Sequence, residues 1–407
     1  MTHCRFCSKE LKYTFADLGL SPLSNEYVSE SNLVRSQCYN PLVVKVCDNC
    51  FLAQALDFIK PEEIFSDYKY FSSFSTSWLK HCEAYVSMII EKLSLDKNSL
   101  VTEIACNDGY LLQYFKPHGI QVYGVEPAET VALEARKKGI DVEVTFFEKK
   151  CALGLVEKRG KSNLIIGNNV FAHVPDINSF VDGLSILLAP NGTITLEFPH
   201  ILKLIGYNQF DTIYHEHFSY FSIIAVNKIF EAHNLKIINI EELETHGGSV
   251  RIYVVHKDSE VLIDKSVEQI LANERNAALD KIETYLTFNK QIQKIKFDSL
   301  KFLIEAKEQK KSIAAYGAAA KGNTFLNYCG IGKDFIDYVV DANIHKQGNF
   351  LPGTHIPIVG KDELLKSKPD YVIILPWNLK SEIIEAISFI RDWNGKFVTF
   401  IPNLEVR

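Results

Sequence analysis

VTEIACNDGYLL, residues 101–112, followed by VYGVEP, residues 122–127, is the stretch on which the fold turns. An apolar run ends in the small polar turn Ala105-Cys106-Asn107-Asp108-Gly109 and returns to apolar sequence at Tyr110. A strand that passes through such a turn straight into a helix reads this way, and a ligand there meets backbone N–H groups and the helix N-terminus. The second run ends in Glu126, about 20 residues on, where a carboxylate can bind ribose hydroxyls. The turn is not GxGxxG, so a dinucleotide's diphosphate fits it poorly. A ribose-binding acid beside a turn without diphosphate glycines suits S-adenosylmethionine.

Outward from this stretch the rhythm is regular. Apolar runs at 100–105, 122–125, 164–166, 193–198 and 235–240 alternate with amphipathic segments such as 128–138 and 179–188. Strands alternating with helices imply right-handed crossovers and a mainly parallel, doubly wound α/β sheet. Residues 250–255 read as a further strand, antiparallel and near an edge, and 79–95 carry helical spacing. The charged stretch 259–311, without Gly or Pro, reads as one or two long helices. A second α/β rhythm follows, with strands expected at 313–316, 336–340, 371–375 and 396–401. The expected domains are a cysteine-bearing module at 1–60, a central domain at 61–300 and a C-terminal α/β domain at 301–407.

Composition narrows the class. The 407 residues hold 44 Lys+Arg against 50 Asp+Glu, a net charge of −6, which argues against a sequence-independent grip on nucleic acid. No apolar run reaches the roughly 18 residues of a membrane helix. MTHCRFCSKE at the N-terminus lacks the apolar core of a secretory signal. Nine cysteines, an odd and sparse set, fit a reducing cytoplasm better than a disulfide scaffold. We expect no membrane or nucleic-acid partner, a cytoplasmic location and a monomer.

Three further clusters carry chemistry. Cys4, Cys7, Cys47 and Cys50 form two CxxC knuckles, which can offer four thiolates to one structural zinc ion; the alternative is a pair of surface redox sites. FDTIYHEHFSY, residues 210–220, crowds Tyr214, His215, Glu216 and His217 into one segment. In an extended chain the two histidines share one face, and Tyr214 and Glu216 the other. A base, a carboxylate and a phenol in one pocket suit proton abstraction beside a carbonyl, whereas the spacing is not that of HExxH. His173 follows another apolar strand. Finally, YGAAAKGNT, residues 316–324, is again a small-residue turn opening a helix, with Lys321 and Thr324 able to contact phosphate oxygens. It lacks the spacing of an NTP-hydrolysing loop, so a phosphate-bearing ligand that is bound and not cleaved fits it. HGGSVR, residues 246–251, is either a polar substrate loop or a plain hairpin turn.

Taken in order, the double CxxC module, YFSSFS (70–75), EIACNDGYLL, GVEPA, NNVFAHVPD, EFPH, FDTIYHEHFSYFS, HGGSVR, YGAAAKGNTFLNYCGI and LPGTHIPI resemble the S-adenosylmethionine-dependent sugar C-methyltransferases that act on nucleotide-linked keto-deoxysugars. The resemblance implies a small zinc-binding module, a methyltransferase domain and a C-terminal domain of dinucleotide-fold type that helps hold the sugar nucleotide. It places the cofactor against Tyr70, Ser75, Glu103, Ala105, Asn107, Gly109, Glu126, Pro127, Phe147, Asn168 and Asn169. It makes His217 the base, with Tyr214, Glu216 and His173 around the reacting sugar. The substrate, a nucleotide-diphosphate sugar, is implied to contact Phe198, His215, His246, Gly248, Ser249 and Arg251. Further substrate contacts are implied from Tyr316, Ala318, Lys321, Gly322, Asn323, Thr324, Asn327, Asp341 and Lys346. Two positions depart from the family pattern: Ala105 stands where glycine is common and Thr145 where an acid is frequent. The competing readings are O-methylation of a sugar hydroxyl and a zinc-bearing binding protein without activity; the charge balance disfavours a nucleic-acid regulator.

Overall fold

The strand Leu100–Ile104 is buried over almost its whole length, as a central strand of a parallel sheet covered by helices must be. In the computed structural model, which describes residues 2–56, 59 and 71–407, it is the pivot of a seven-stranded sheet. The order is Leu235–Leu243, Ser249–His256, Leu188–Pro199, Ser162–Asn168, Leu100–Ile104, Gln121–Val125, Asp141–Glu143. The last five run parallel. Ser249–His256 is antiparallel to both of its neighbours and lies one place in from the edge. The chain winds from Leu100–Ile104 outward to Asp141–Glu143, then returns to build the other half from Ser162–Asn168. The switch point therefore lies between Ile104 and Asn168, where ligands of doubly wound sheets bind.

One side of this sheet buries Phe171, Phe180, Phe198, Phe221 and Phe230 with Ile165, Ile194 and Leu196. The other buries Tyr85, Val86, Ile89, Leu112, Phe115 and Ile140. The helix Thr76–Leu93 belongs to this second layer through Cys82, Tyr85, Val86 and Ile89, at helical spacing.

Two expectations need correction. No α-helix follows the turn at 105–109. Two 3-10 turns, Leu112–Tyr114 and Lys116–His118, take its place, because Pro117 lacks the N–H a helix interior would use and Gly119, at φ +70°, closes the second turn. The stretch 259–311 is three helices, Lys265–Asn276, Ile282–Leu286 and Phe288–Glu308. Ala278, left-handed at φ +55°, stops the first. The helix Lys149–Arg159 was not anticipated.

The chain forms two compact units, both discontinuous in sequence: Met1–Leu11, Cys47–His200 and Phe218–Asp280 in the first, and Lys12–Val46, Ile201–His217 and Lys281–Arg407 in the second. The second unit has a six-stranded sheet ordered Ile358–Val359, Val339–Val340, Ile313–Tyr316, Tyr371–Ile374, Lys396–Thr399, Glu405–Val406, parallel except for the last pair. Its switch point follows Tyr316. The antiparallel pair Tyr13–Ser21 and Asn40–Val46 also belongs here, and Phe15 stacks on Phe288 at 4.7 Å.

Within the first unit, Glu274 of Lys265–Asn276 is fully buried and its Oε2 accepts the Ile224 N–H at 2.8 Å; Oε1 accepts the Ile223 N–H and lies 2.6 Å from His200 Nε2. One carboxyl thus satisfies the first N–H groups of the helix Ile223–Ala232, which would otherwise be buried without partners. Glu274→Ala is expected to lower unfolding free energy by roughly 3–5 kcal/mol, since it orphans two backbone donors and an imidazole together; urea unfolding followed by far-UV circular dichroism measures it.

Candidate active site

The cysteine knuckles are built alike. The Ser8 N–H donates to the Cys4 carbonyl at 2.9 Å, and the Phe51 N–H to the Cys47 carbonyl at 3.0 Å. Ser8 and Phe51 both take the left-handed conformation, at φ +58° and +62°. Each turn folds its two sulfurs to one side, and the four Sγ atoms lie within 4.8 Å of one another. Cys4–Cys50 and Cys7–Cys47 Sγ distances are 3.6 and 3.5 Å, and Gln54 Nε2 donates to Cys4 Sγ at 3.2 Å. Four converging sulfurs with an outer hydrogen bond suit a closed tetrahedral zinc site with no position for substrate. Metal analysis is expected to find one zinc per chain, and Cys47→Ser to lose it with a lowered melting temperature.

At the switch point of the first unit, Glu126 is buried. Its Oε2 accepts the Asn107 N–H at 3.0 Å and its Oε1 the Ala128 N–H at 2.9 Å. Burial pushes its pKa up to about 7, against the pull of those two donors. The turn is crowded. A Cβ on Gly109 would lie 2.4 Å from Ile140 Cδ1, and one on Gly124 would lie 2.4 Å from Cys106 Sγ. Ala105 sits at φ +57°, a conformation that costs an alanine about 1 kcal/mol and a glycine almost nothing; this is the physical content of its departure from glycine. Asn168, at the end of the neighbouring strand, has both amide atoms buried without a hydrogen-bond partner among the described residues. Orphaned polar atoms beside a preformed acid fit a polar ligand such as S-adenosylmethionine. From the preceding segment, the Ser72 N–H donates to Asn107 Oδ1 at 3.0 Å, and Ser73 Oγ donates to Asp108.

Other residues expected at the cofactor have defined places. Ser75 caps the helix Thr76–Leu93, accepting from the Trp78 N–H at 3.3 Å. Glu103 is fully buried, and its carboxyl is held well above the usual range by desolvation. Phe147 packs edge-on against Phe180 at 5.4 Å. Asn169, at φ +54°, donates its N–H to the Glu197 carbonyl at 2.8 Å. Pro127 lies between Glu126 and Ala128, half-buried. Tyr70 falls outside the described residues.

The 246–251 segment is tied into a polar network within the first unit. Arg251 Nε donates to Glu197 Oε1 at 2.8 Å and its Nη1 to Glu241 Oε2 at 2.8 Å. His81 Nε2 lies 3.1 Å from both Glu197 oxygens. Ser249 Oγ donates to the Thr245 carbonyl, and the Gly248 carbonyl accepts the His200 N–H. His246 meets Trp78 edge-on at 5.6 Å, and Phe198 is core. His81 and Glu197 were not singled out in the sequence; a glutamate inside the apolar run TITLEFP was the available signal.

In the second unit the segment 214–217 is a turn, not an extended strand, and the expected sharing of faces is corrected. The His217 N–H donates to the Tyr214 carbonyl at 2.9 Å, bringing the Tyr214 and His217 rings to 4.0 Å. His217 Nδ1 lies 2.7 Å from the Thr212 carbonyl oxygen. A carbonyl only accepts, so Nδ1 carries the proton and Nε2 the lone pair. His215 is turned elsewhere, buried against the backbone of Asn40 and Pro41, and burial lowers its pKa. Glu216 is buried; desolvation pushes its pKa up to about 7, and a hydrogen bond from Asn25 Nδ2, at 2.6 Å, pulls the other way. His173 is half-buried in the first unit, on the 3-10 turn Phe171–His173.

At the second switch point, Asp341 Oδ2 accepts the Ala318 N–H and its Oδ1 the Asn343 N–H, both at 2.8 Å. Lys346 Nζ donates to the Ala318 carbonyl at 2.8 Å. Lys321 is committed: its Nζ donates to Asn378 Oδ1 at 2.7 Å and lies over the Trp377 ring. Asn323 Nδ2 donates to the Ser24 carbonyl, Thr324 Oγ1 is 3.4 Å from Ser24 Oγ, and Asn327 Nδ2 donates to the Pro352 carbonyl. A Cβ on Gly322 would lie 2.9 Å from Leu375, so the helix packs close to the strand end. Tyr316 is half-buried at the strand terminus.

Three family models match successive parts of the chain: "Putative zinc binding domain" over residues 4–65, "Methyltransferase domain" over 78–240 and "C-methyltransferase C-terminal domain" over 244–402. The chain is 31% identical over 403 residues to the C-methyltransferase NovU of Streptomyces niveus, covering 99% of this chain and 96% of that one. The chain belongs to the C-methyltransferase family. Its methyl donor is S-adenosylmethionine, and the cysteine quartet is its zinc-binding module. Among solved structures, a SAM-dependent methyltransferase from Anabaena variabilis is 16% identical, with a TM-score of 0.36 over 49% of this chain and 99% of that one. Magnesium protoporphyrin IX methyltransferase from Synechocystis, with bound SAH, is 18% identical, with a TM-score of 0.34 over 44% and 83%. Neither likeness bears on the reaction of this C-methyltransferase. Among the described residues, no helix is long and apolar enough to cross a membrane.

The raised Glu216 carboxyl has a readable consequence. A group whose folded pKa lies above its unfolded value contributes stability below the unfolded value, near 4.5, and loses it as pH rises through about 7. Glu216→Gln should therefore melt progressively higher relative to the natural protein as pH is raised from about 5 to about 8. A melting difference that stays flat across that window would contradict the burial assigned to this carboxyl.

Proposed function

We propose that this C-methyltransferase methylates the carbon beside the ketone of a nucleotide-linked deoxysugar, C3 of a 4-keto sugar, after His217 removes the proton from that carbon. The observation that carries the reading is the Nδ1 contact of His217 with the Thr212 carbonyl at 2.7 Å. It fixes the tautomer in which Nε2 is the base. The Tyr214 hydroxyl is the donor assigned to the developing enolate oxygen, whose stabilisation lowers the barrier to proton removal. Glu216, buried next to His217 in the chain, orients the neighbouring groups. S-adenosylmethionine, when bound, supplies an electrophilic methyl group; Glu126 is assigned to its ribose and Asn168 to its polar edge. What the chain contributes to transfer is position and the exclusion of water.

The nucleotide part of the reading is supported by the turn at 316–324, where Asp341 stands at the end of the adjacent strand with its carboxylate already seated on the Ala318 N–H. An acid in that place is suited to ribose hydroxyls. In this reading the partner is a small nucleotide-diphosphate sugar, the protein acts as a monomer in the cytoplasm, and the three domains divide at about residues 60 and 300, as the spacing of motifs implies.

Proton abstraction is separable from methylation. In D2O without methyl donor, the natural protein is expected to exchange the proton on the carbon beside the ketone, and His217→Asn to slow that exchange by about 100-fold or more. Exchange at the natural rate in the variant would remove His217 as the base.

A further inference from the structure

The residues 24–28, Ser-Asn-Glu-Tyr-Val, form an irregular strap whose contacts go to well-separated parts of the second unit. Asn25 Nδ2 donates to Glu216 Oε1 at 2.6 Å. Two residues on, the Tyr27 hydroxyl donates to the Ala318 carbonyl at 2.6 Å. The Ser24 carbonyl accepts from Asn323 Nδ2 at 2.6 Å, and Val28 exchanges backbone hydrogen bonds with Phe350 at 2.8–2.9 Å. The strap is therefore anchored at both ends, and the two side chains between the anchors reach the two places that the proposed reaction uses.

Each contact adds a direct hydrogen bond to a group at one of these two places. Glu216 is buried, whereas Asn25 is exposed, so a surface amide holds one oxygen of a buried carboxyl in a fixed direction. A hydrogen bond of this length to a carboxyl is among the stronger kind. The Ala318 backbone is pinned on both sides through two successive peptide groups: Asp341 takes the N–H of one, while Tyr27 and Lys346 donate to the carbonyl of the next. That peptide leads through Ala319 into the helix Ala320–Cys329, whose N-cap position has no side-chain cap. The orientation of the helix N-terminus is thus set by the Ala318 peptide and, through it, by Tyr27.

The geometry points to Asn25 and Tyr27 as positioning residues mounted on one strap, the first aligning Glu216 beside the base and the second fixing the turn that takes the substrate's phosphates. This rests on the reading of His217 and Glu216 as the proton-transfer pair and of the 316–324 turn as the nucleotide site. It adds that holding the nucleotide and removing the proton share a single loop, one for which neither chemistry nor spacing in the sequence gave a role.

A loop that was merely structural would loosen both functions together when altered; a shared mount with separate tasks splits them. Asn25→Asp keeps the shape and replaces the donor with an acceptor. It is expected to slow deuterium uptake at the acceptor carbon of a thymidine-diphosphate-linked 4-keto sugar by about tenfold or more, with KM within about twofold. Asn25→Gln, which keeps the amide, is expected to recover part of the rate. Tyr27→Phe removes one oxygen and is expected to raise KM by about three- to tenfold while kcat stays within about twofold. Asn25 is exposed, so its replacement disturbs no core; should Asn25→Asp fail to fold, the neutral Asn25→Leu is read in the same way. Deuterium uptake at the natural rate in Asn25→Asp, or equal proportional changes of kcat and KM in both variants, would overturn the assignment. If the natural protein exchanges no proton of such a sugar, the reaction reading falls. Calorimetry with thymidine diphosphate then decides the Tyr27 half: weaker binding by Tyr27→Phe supports it, and equal binding overturns it.

Discussion

A carboxylate at the end of a second strand, holding the backbone of the turn that follows the first, is the contact from which the switch point of each unit is built. In the first unit it is Glu126 on the Asn107 N–H, and in the second it is Asp341 on the Ala318 N–H. Each acid also takes the N–H two residues beyond itself, Ala128 and Asn343. A carboxylate drawn out of water without donors and a turn with unpaired N–H groups are each costly. Placed together, each removes the other's penalty. The acid holds the turn through its backbone, so this contact leaves room for residues as small as alanine and glycine.

The turns are held from a second direction as well. Ser72 and Ser73 reach Asn107 and Asp108 in the first unit, and Lys138 Nζ lies 2.9 Å from Ser73 Oγ. In the second, Tyr27 and Lys346 reach the Ala318 carbonyl. Both times a segment N-terminal to the sheet lays polar groups on a turn that the acid already grips. The same physical problem has the same solution in two sequences, ACNDG and YGAAA, that share no pattern. Backbone atoms carry the shared contact, so the likeness of the two units lies in geometry and leaves no repeat in the sequence.

That distinction also explains what could be read in advance. Hydrophobic runs marked the strands and the switch point, because burial on both faces leaves little choice of residue. The knuckles and Glu126 were legible from spacing alone. The helix expected after Gly109 was not formed, because Pro117 outweighed the apolar pattern on either side of it. The alternation of faces expected at 214–217 was lost to a turn that pairs positions three apart. Asn25 and Glu216 are 191 residues apart, and His81 and Glu197 are 116. No local period reports a contact of that kind. Lys321 shows the converse: its place in the motif was legible, but its contacts with Asn378, 57 residues on, and with Trp377 were not.

The two histidines of the HEH segment show how packing divides roles among residues of identical chemistry. His215 is buried against Asn40 and Pro41, and desolvation lowers its pKa. His217 keeps an accessible edge, and its Nδ1–H is committed to the Thr212 carbonyl. That contact fixes the ring plane and leaves the lone pair on Nε2. The Tyr214 ring, 4.0 Å away, limits the remaining rotation. A base needs a fixed direction and an accessible edge, and of the two histidines His217 is the one that combines them, as its proposed role requires.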